Sequence, residues 1–230
     1  MKIKSLSEKS WRYIFVGLLF LCGTVITFQV MSNPTQEEVI NEYTTPNSED
    51  HYKIKNSNAK VTIINYFSLD CSHCRKMYEL EEIFLKTNPE GLTNINIIYR
   101  HNPLEIQPLS QEKALMSECV YKQLGDEGFF AFIGNVYSTY TSTMHTGNDW
   151  VKKLAFEVIP SQKDFSSCLE SDEAKNIVQK QKTENILQGI NYTPTLIVFI
   201  DGKFVKKYDN IGGKTAIEIV KHYTNIASTK

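Results

Sequence analysis

Two cysteines separated by two residues, Cys71 and Cys74, are the side chains whose types and spacing best support chemistry in this sequence. An apolar, β-rich run over residues 61–67 predicts a strand before them, and apolar residues at helical spacing from Met77 onward predict a helix after them. A thiol on the first turn of a helix faces backbone N–H groups that lack partners and the positive end of the helix dipole. Both favour the thiolate, which is the reactive form, so the pair is predicted to open and close a disulfide.

Other chemistries of a Cys-x-x-Cys motif fit this sequence less well. A structural zinc site needs four ligands, usually from two close pairs, and the remaining cysteines are spread over the chain as Cys22, Cys119 and Cys168. Covalent haem attachment requires a histidine after the second cysteine, where Arg75 stands. A static disulfide across so short a loop gains little from chain entropy. Thiol redox chemistry is therefore favoured, and no metal ligands and no cofactor are predicted.

The N-terminal segment predicts export. Residues 13–31 carry no charge over 19 positions, which is long enough to cross a bilayer as a helix. Residues 1–12 hold four basic side chains against one acidic side chain, a net charge of +3, and are predicted to stay in the cytoplasm. A cleavable signal peptide is the alternative, but residues 29–32 make a poor cleavage site, so an uncleaved anchor is favoured. Either way, the two cysteines lie outside the cytoplasm, where disulfides persist.

The rest of the chain has the composition of a globular domain, with 41% hydrophobic residues, and its net charge of −1 offers no basic surface for nucleic acid. Residues 32–50 are polar and predict a linker. Strands are predicted at residues 51–54, 61–67, 95–99, 195–200 and 203–208, and helices at residues 71–86 and 215–225. Only helical patches are predicted between residues 105 and 188. The predicted order is β-α-β, a helical insertion over 105–188, and β-β-α, with residues 51–104 and 189–230 forming the α/β part.

This order is that of the thioredoxin fold, and the helical block between its halves resembles the DsbA family of exported thiol–disulfide oxidoreductases. The motif Cys-Ser-His-Cys at residues 71–74 resembles the Cys-Pro-His-Cys centre of that family, with Ser72 in place of proline. Three further segments are similar to the family's cis-proline loop, its entry into the central strand and its approach to the helical domain: Thr193-Pro194-Thr195, residues 58–63 and residues 100–104. The resemblance covers roughly residues 52–227. It implies an α/β, thioredoxin-like fold with an inserted all-helical subdomain, here preceded by one transmembrane helix.

The resemblance also implies roles for individual residues. Cys71 would be the exposed nucleophile, and His73 would add a positive charge or a hydrogen bond to its thiolate. Cys74, buried further into the helix, would resolve the mixed disulfide. Pro194, in the cis form, would present the backbone of Thr193 to an extended substrate chain.

Several residues act against the family pattern or depart from it. Asp70 places a negative charge beside Cys71 and would raise its pKa, and Ser72 weakens the helix start relative to proline, so a milder oxidant is expected. Asn65 stands where the resemblance implies a buried glutamate that moves the proton of the buried cysteine, and an amide cannot titrate. Thr193 resembles isomerase-type relatives as much as oxidases, so a reductase or isomerase is the alternative activity.

Cysteines and histidines outside the motif are given structural roles. By resemblance to some relatives, Cys119 and Cys168 of the insertion are expected to form a structural disulfide, with two separate buried thiols as the alternative. Closing a loop of about fifty residues would stabilise the fold by roughly 3–4 kcal/mol in the entropy model. The remaining histidines lack partners at ligand spacing and are predicted to lie at the surface or in loops: His51, His101, His145 and His222.

The expected function is oxidation of thiols in reduced, unfolded exported proteins, followed by reoxidation by a DsbB-type, quinone-linked membrane partner. The resemblance implies a bacterial inner-membrane protein, anchored through residues 13–31, whose catalytic domain lies in the periplasm or another extracytoplasmic space. A soluble periplasmic protein would result if the segment were cleaved. Besides the reductase or isomerase, the alternatives are a non-catalytic chaperone or binding module and, less favoured, a metal-delivery protein.

Overall fold

The computed structural model describes Thr35, Ile40 and residues 44–107, 109–139 and 147–229. The predicted basic flank at residues 1–12 and the predicted membrane span at residues 13–31 lie outside this part of the chain, as does most of the predicted linker. Within the described residues, no helix is both long enough and apolar enough to cross a membrane.

In the described part of the chain from residue 51 onward, five strands and six α-helices follow one another in the order that the sequence predicts. The strands are β1 (His51–Ile54), β2 (Val61–Phe67), β3 (Ile95–His101), β4 (Thr195–Ile200) and β5 (Lys203–Tyr208). The helices are α1 (Ser72–Thr87), α2 (Ser110–Thr139), α3 (Asp149–Val158), α4 (Gln162–Glu170), α5 (Asp172–Leu187) and α6 (Gly213–Thr229), and a short 3₁₀ helix (Pro89–Leu92) precedes β3. α2 is broken at Gly125, which has a positive φ of 64°, a conformation that glycine adopts without a steric penalty.

The strands form one sheet in the order β1-β3-β2-β4-β5. β2 and β3 are parallel, as expected for two strands joined by the crossover helix α1, and the other neighbouring pairs are antiparallel. β2 therefore lies at the centre of the sheet, between β3 and β4. Its carboxyl end leads directly into the Cys-x-x-Cys motif.

Both faces of the sheet are buried. Val61, Ile63 and Phe67 of β2 belong to the larger core, which also contains buried residues of all six helices. Ile64 and Tyr66 point to the opposite face and pack in a smaller cluster. This alternation follows from the two-residue period of a strand. The inserted helices complete the larger core with buried aromatic side chains: Phe129, Phe130, Phe132 and Tyr137.

The segment just before β1 is attached to the sheet by a buried ion pair. The Arg100 guanidinium donates hydrogen bonds to both carboxylate oxygens of Asp50, at 2.5 and 3.0 Å, and one to the carbonyl of Thr45 at 3.0 Å. The two charged side chains are each at most 2% exposed. The last residues of the predicted linker are therefore part of the folded domain.

A disulfide joins the inserted helices to each other. Cys119 of α2 and Cys168 of α4 are bonded, and their Cα atoms are 5.7 Å apart. The bond closes the loop that contains α3 and the second half of α2.

The surface position predicted for two histidines is wrong. His51 and His101 are 0% and 1% exposed, because they lie on neighbouring strands under α2 and both meet the buried carboxylate of Glu118. The His51 ring also stacks on Phe129, with 3.8 Å between the ring centroids. His222 is exposed, as predicted, and His145 lies outside the described residues.

Candidate redox site

Cys71 occupies the N-cap position of α1. Its backbone is extended, with φ −88° and ψ 114°, and the N–H of Cys74 donates a hydrogen bond to the Cys71 sulfur at 3.1 Å. This contact satisfies one of the backbone N–H groups that a helix start leaves without a partner. Cys74 lies one turn further along α1, so the two sulfurs are neighbours, and neither cysteine is in a disulfide in this structure.

The loop before β4 brings a second segment to Cys71. The peptide bond between Thr193 and Pro194 is cis. The Cys71 sulfur lies 3.2 Å from the carbonyl oxygen of Thr193, to which it donates a hydrogen bond when it is protonated. The structure thus brings together Cys71, Cys74, Thr193 and Pro194, all of which were predicted to belong to the site.

The folded structure shifts the pKa values of the two thiols in opposite directions. The pKa of Cys71 is lowered from 9.0 to about 6, chiefly by a hydrogen bond from the Cys74 side chain. Burial opposes this shift, and hydrogen bonds from the backbone N–H groups of Cys74 and His73 add to it. Burial raises the pKa of Cys74 well above its ordinary value. Near neutral pH, Cys71 is therefore the thiolate and Cys74 the thiol.

The exposure expected for Cys71 needs correction, whereas the contribution expected from the His73 side chain stays a prediction. His73 contributes through its backbone N–H, while its side chain is exposed to solvent. Cys71 is only 6% exposed, because it is covered by the Thr193 loop, and Cys74 is 3% exposed. Cys71 nevertheless lines an open cleft of about 350 Å³, bordered by His73 on one side and by Tyr192 and Thr193 on the other. A partner sulfur would reach it through this cleft.

The carboxylate beside Cys71 is paired with a lysine that the sequence did not point to. Lys113 of α2 donates a hydrogen bond to Asp70, and its side chain is 1% exposed. The expectation that Asp70 raises the Cys71 pKa thus took no account of this countercharge. The two residues are 43 positions apart, and no local pattern links them, so only the folded chain shows the pair.

Asn65 occupies a buried position on β2 and is 1% exposed. Its side-chain carbonyl oxygen has no hydrogen-bond partner among the described residues. An amide at this position can neither release nor accept a proton at physiological pH. Proton transfer to and from Cys74 must therefore use other groups or water.

One group of side chains among the described residues has the composition of a metal site. The nitrogen and carboxylate atoms of His51, His101 and Glu118 lie within 4.8 Å of one another. They are held by hydrogen bonds, with Nε2 of His51 at 2.8 Å and Nε2 of His101 at 3.1 Å from the same Glu118 oxygen. The other ring nitrogen of His51 is buried and has no hydrogen-bond partner within the described part of the chain. Because metal-binding histidines normally donate that second N–H to an acceptor, the cluster fits a hydrogen-bonded triad better than a metal site.

Comparison with known proteins agrees with this geometry. The family model described as Thioredoxin matches residues 47–218. A search of curated proteins found no match. Among solved structures, Wolbachia pipientis alpha-DsbA1 is 20% identical, with a TM-score of 0.63 over 81% of this chain and 96% of that chain. The thiol-disulfide exchange protein alpha-DsbA2 of the same organism is 15% identical, with a TM-score of 0.63 over 83% and 94%. BdbD from Bacillus subtilis is 18% identical, with a TM-score of 0.60 over 79% and 94%.

Each of these likenesses covers more than three quarters of this chain. The family model includes both halves of the sheet and the insertion between them. The chain therefore belongs to the thioredoxin family, with the DsbA-like arrangement in which a helical block is inserted between the two halves of the fold.

Proposed function

We propose that this protein is a thiol–disulfide oxidoreductase that introduces disulfide bonds into exported proteins through Cys71 and Cys74. The observation that carries the proposal is the unequal acidity of the two thiols at the start of one helix. A thiolate at Cys71 stabilises the reduced pair, and a stabilised reduced pair makes the disulfide form a ready donor of its bond.

The proposed exchange proceeds in two steps. A substrate thiolate attacks the Cys71 sulfur of the oxidised pair, which forms a mixed disulfide, and Cys74 leaves and takes up a proton because its pKa is high. A second substrate thiolate then attacks the substrate sulfur of the mixed disulfide, and Cys71 leaves as the thiolate. The substrate loses two electrons and two protons in forming its disulfide. The two electrons reduce the Cys71–Cys74 pair, one proton stays on Cys74 and the other passes to solvent.

The loop containing Thr193 and Pro194 is proposed to hold the substrate chain beside Cys71. Proline has no N–H, and an extended chain that binds along this loop would pair with backbone groups of Thr193. Tyr192, which is 50% exposed, borders the same cleft and offers an apolar surface to the substrate.

The test is disulfide transfer to a reduced, unfolded protein with several cysteines. The oxidised protein should generate disulfides in this substrate, and the Cys71→Ala variant should not. Failure of the oxidised protein to transfer disulfides, or equal transfer by Cys71→Ala, would contradict the proposal. If neither the wild type nor the variant transfers disulfides but both keep the substrate from aggregating, the result would instead support a non-catalytic chaperone or binding module.

A reductase or isomerase is the second candidate, favoured by threonine before the cis proline. The two activities differ in the resting state of the pair. In cells, a mainly oxidised Cys71–Cys74 pair supports the oxidase, and a mainly reduced pair supports the reductase or isomerase. The reduction potential of the purified protein decides the same question in vitro.

We further propose that a DsbB-type membrane protein reoxidises the pair and that residues 13–31 anchor the domain on the periplasmic side of a bacterial inner membrane. The uncharged segment and its basic flank support the anchor. Mass determination of the mature protein tests it, because removal of a signal peptide would leave a shorter, soluble periplasmic protein.

A further inference from the structure

Asp70 places a carboxylate beside the redox site, and the proposed chemistry does not use this carboxylate. It directly precedes Cys71 and lines the same cleft. A negative charge at this place disfavours a neighbouring thiolate. One of its oxygens, Oδ2, is buried without a hydrogen-bond partner among the described residues.

Lys113 supplies the opposite charge from the helical insertion. It extends from the first half of α2 to Asp70, and its side chain is 1% exposed against 10% for that of Asp70. Its ammonium group also lies 5.7 Å from the centre of the Trp150 ring on α3. Burying a lysine is unfavourable unless it is paired, and Asp70 supplies the partner.

The two cysteines and Asp70 act on a common neighbour. The Tyr137 hydroxyl donates a hydrogen bond to the carbonyl of Ser68 at 3.0 Å, in the loop between β2 and α1. Negative charge on Cys74, on Cys71 and on Asp70 raises the pKa of this hydroxyl, after the larger effect of its burial. The carboxylate and the two sulfurs thus act on the same hydroxyl, and Lys113 contacts that carboxylate.

We propose that Lys113 is a positioning residue of the redox site, which neutralises Asp70 and thereby preserves the thiolate of Cys71. The inference deepens the proposed function and rests on it. Through this contact the helical insertion sets the oxidising strength of the pair. Without the lysine, the uncompensated carboxylate raises the Cys71 pKa, destabilises the reduced form and makes the disulfide a weaker oxidant.

The test measures the Cys71 pKa and the reduction potential in a double-mutant cycle of Asp70→Asn and Lys113→Met. Lys113→Met should raise the pKa by about half a unit or more, roughly a threefold change in the ionisation constant, and make the potential more negative. The double variant, which lacks both charges, should return both quantities close to those of the wild type. Asp70→Asn alone should not raise the pKa.

Lys122→Met is the matched control, because Lys122 lies on the same helix but is 53% exposed and pairs with Glu173. It should leave the Cys71 pKa unchanged. An unchanged Cys71 pKa in Lys113→Met, or an equal rise in Lys113→Met and the double variant, would overturn the inference. If Lys113→Met does not fold, a raised pKa in Asp70→Asn overturns it instead. Since the readouts are a pKa and a potential, the inference can fail while the wild type still transfers disulfides, which separates its failure from that of the proposed function.

Discussion

At the residue scale, the acidity of Cys71 arises from donors within a few ångströms of its sulfur. The sequence predicted the helix start and the Cys-x-x-Cys spacing, because both depend on residues that are neighbours in the chain. It also led to Thr193 and Pro194 through a family motif. The largest contribution, a hydrogen bond from the side chain of Cys74, depends on how the two thiols face each other at the N-terminus of α1.

Replacing Cys74 tests this contribution. Cys74→Ala is expected to raise the Cys71 pKa from about 6 towards its ordinary value of 9.0, by about one unit or more, because the alanine cannot donate the hydrogen bond. Cys74→Ser keeps an O–H donor and should retain more of the shift. The rate of Cys71 alkylation by iodoacetamide as a function of pH measures both values. An alanine variant that still titrates near pH 6 would show that the helix start alone acidifies Cys71.

Other features of the site could not be predicted from the sequence. The pairing of Lys113 with Asp70, and of His51 and His101 with Glu118, joins side chains that are far apart in sequence. Periodicity reports which face of an element is apolar but not which element packs on it. A buried polar residue of this kind therefore looks like a surface residue until its partner is known.

At the element scale, the start of the last helix determines where the motif helix lies. A Cβ atom on Gly213 would come within 2.3 Å of the carbonyl oxygen of His73 and within 2.7 Å of the N atom of Met77. α6 therefore meets the first turn of α1 backbone to backbone. Only glycine permits this approach, which keeps the N-terminus of α1 and Cys71 in register with the cleft.

Gly213→Ala is expected to destabilise the fold by about 1–3 kcal/mol, because the added methyl group forces the two helices apart. It should also alter the Cys71 pKa through movement of the first turn of α1. Gly212→Ala is the matched control, since a Cβ atom there meets nothing within 4 Å. Denaturant unfolding and the Cys71 titration give the two readouts. Equal stability of the two alanine variants would refute the close contact.

The disulfide between α2 and α4 is expected to act on the unfolded chain. Its cysteines are 49 positions apart, so the Cys119→Ala, Cys168→Ala double variant should lose roughly 3–4 kcal/mol of unfolding free energy in the loop-entropy model. Urea unfolding measures the loss. The Cys71 pKa should stay near 6 in the same variant, which distinguishes an effect on stability from an effect on the redox site. Unchanged stability would mean that the bond adds nothing to the packing of the helices.

At the scale of the whole molecule, the triad of His51, Glu118 and His101 joins the sheet to the helical insertion. The histidines lie on β1 and β3, and Glu118 lies on α2. Burial alone would raise the Glu118 pKa, but electrostatic attraction to His51 and hydrogen bonds from both histidines lower it from 4.5 to about 2. Burial lowers the pKa of the partner His101. The connection is therefore electrostatic and depends on pH.

A glutamate whose folded pKa is lowered stabilises the fold above its unfolded pKa and loses that contribution as pH falls. From the shift of Glu118, up to about 3 kcal/mol should be lost as pH falls from 4.5 towards 2. Glu118→Gln should abolish this part of the acid sensitivity. Unfolding free energy against pH measures it, with Glu127→Gln, an exposed position on the same helix, as the control. Parallel acid profiles for the wild type and Glu118→Gln would contradict the role of the triad.

The overall arrangement of strands and helices was the feature that the sequence predicted best. Strand and helix order, the parallel pair β2–β3 and the inserted helices follow from periodicity, from turn residues and from the preference for right-handed crossovers. The attachment of Asp50 to Arg100 did not follow, because a short polar segment before the first strand is indistinguishable from a flexible linker until its buried partner is known.

The central position of β2 in the sheet affects how the nascent chain folds during translation. All the inserted helices are translated between β2 and β4, so a ribosome-bound chain that ends within α5 already carries both motif cysteines. One long edge of its apolar strand then has no hydrogen-bond partner, and such an edge recruits strands from other chains. The nascent protein therefore needs shielding until residues Thr195–Ile200 have emerged. Truncated mRNAs that end within the insertion should yield aggregated protein instead of a smaller active enzyme.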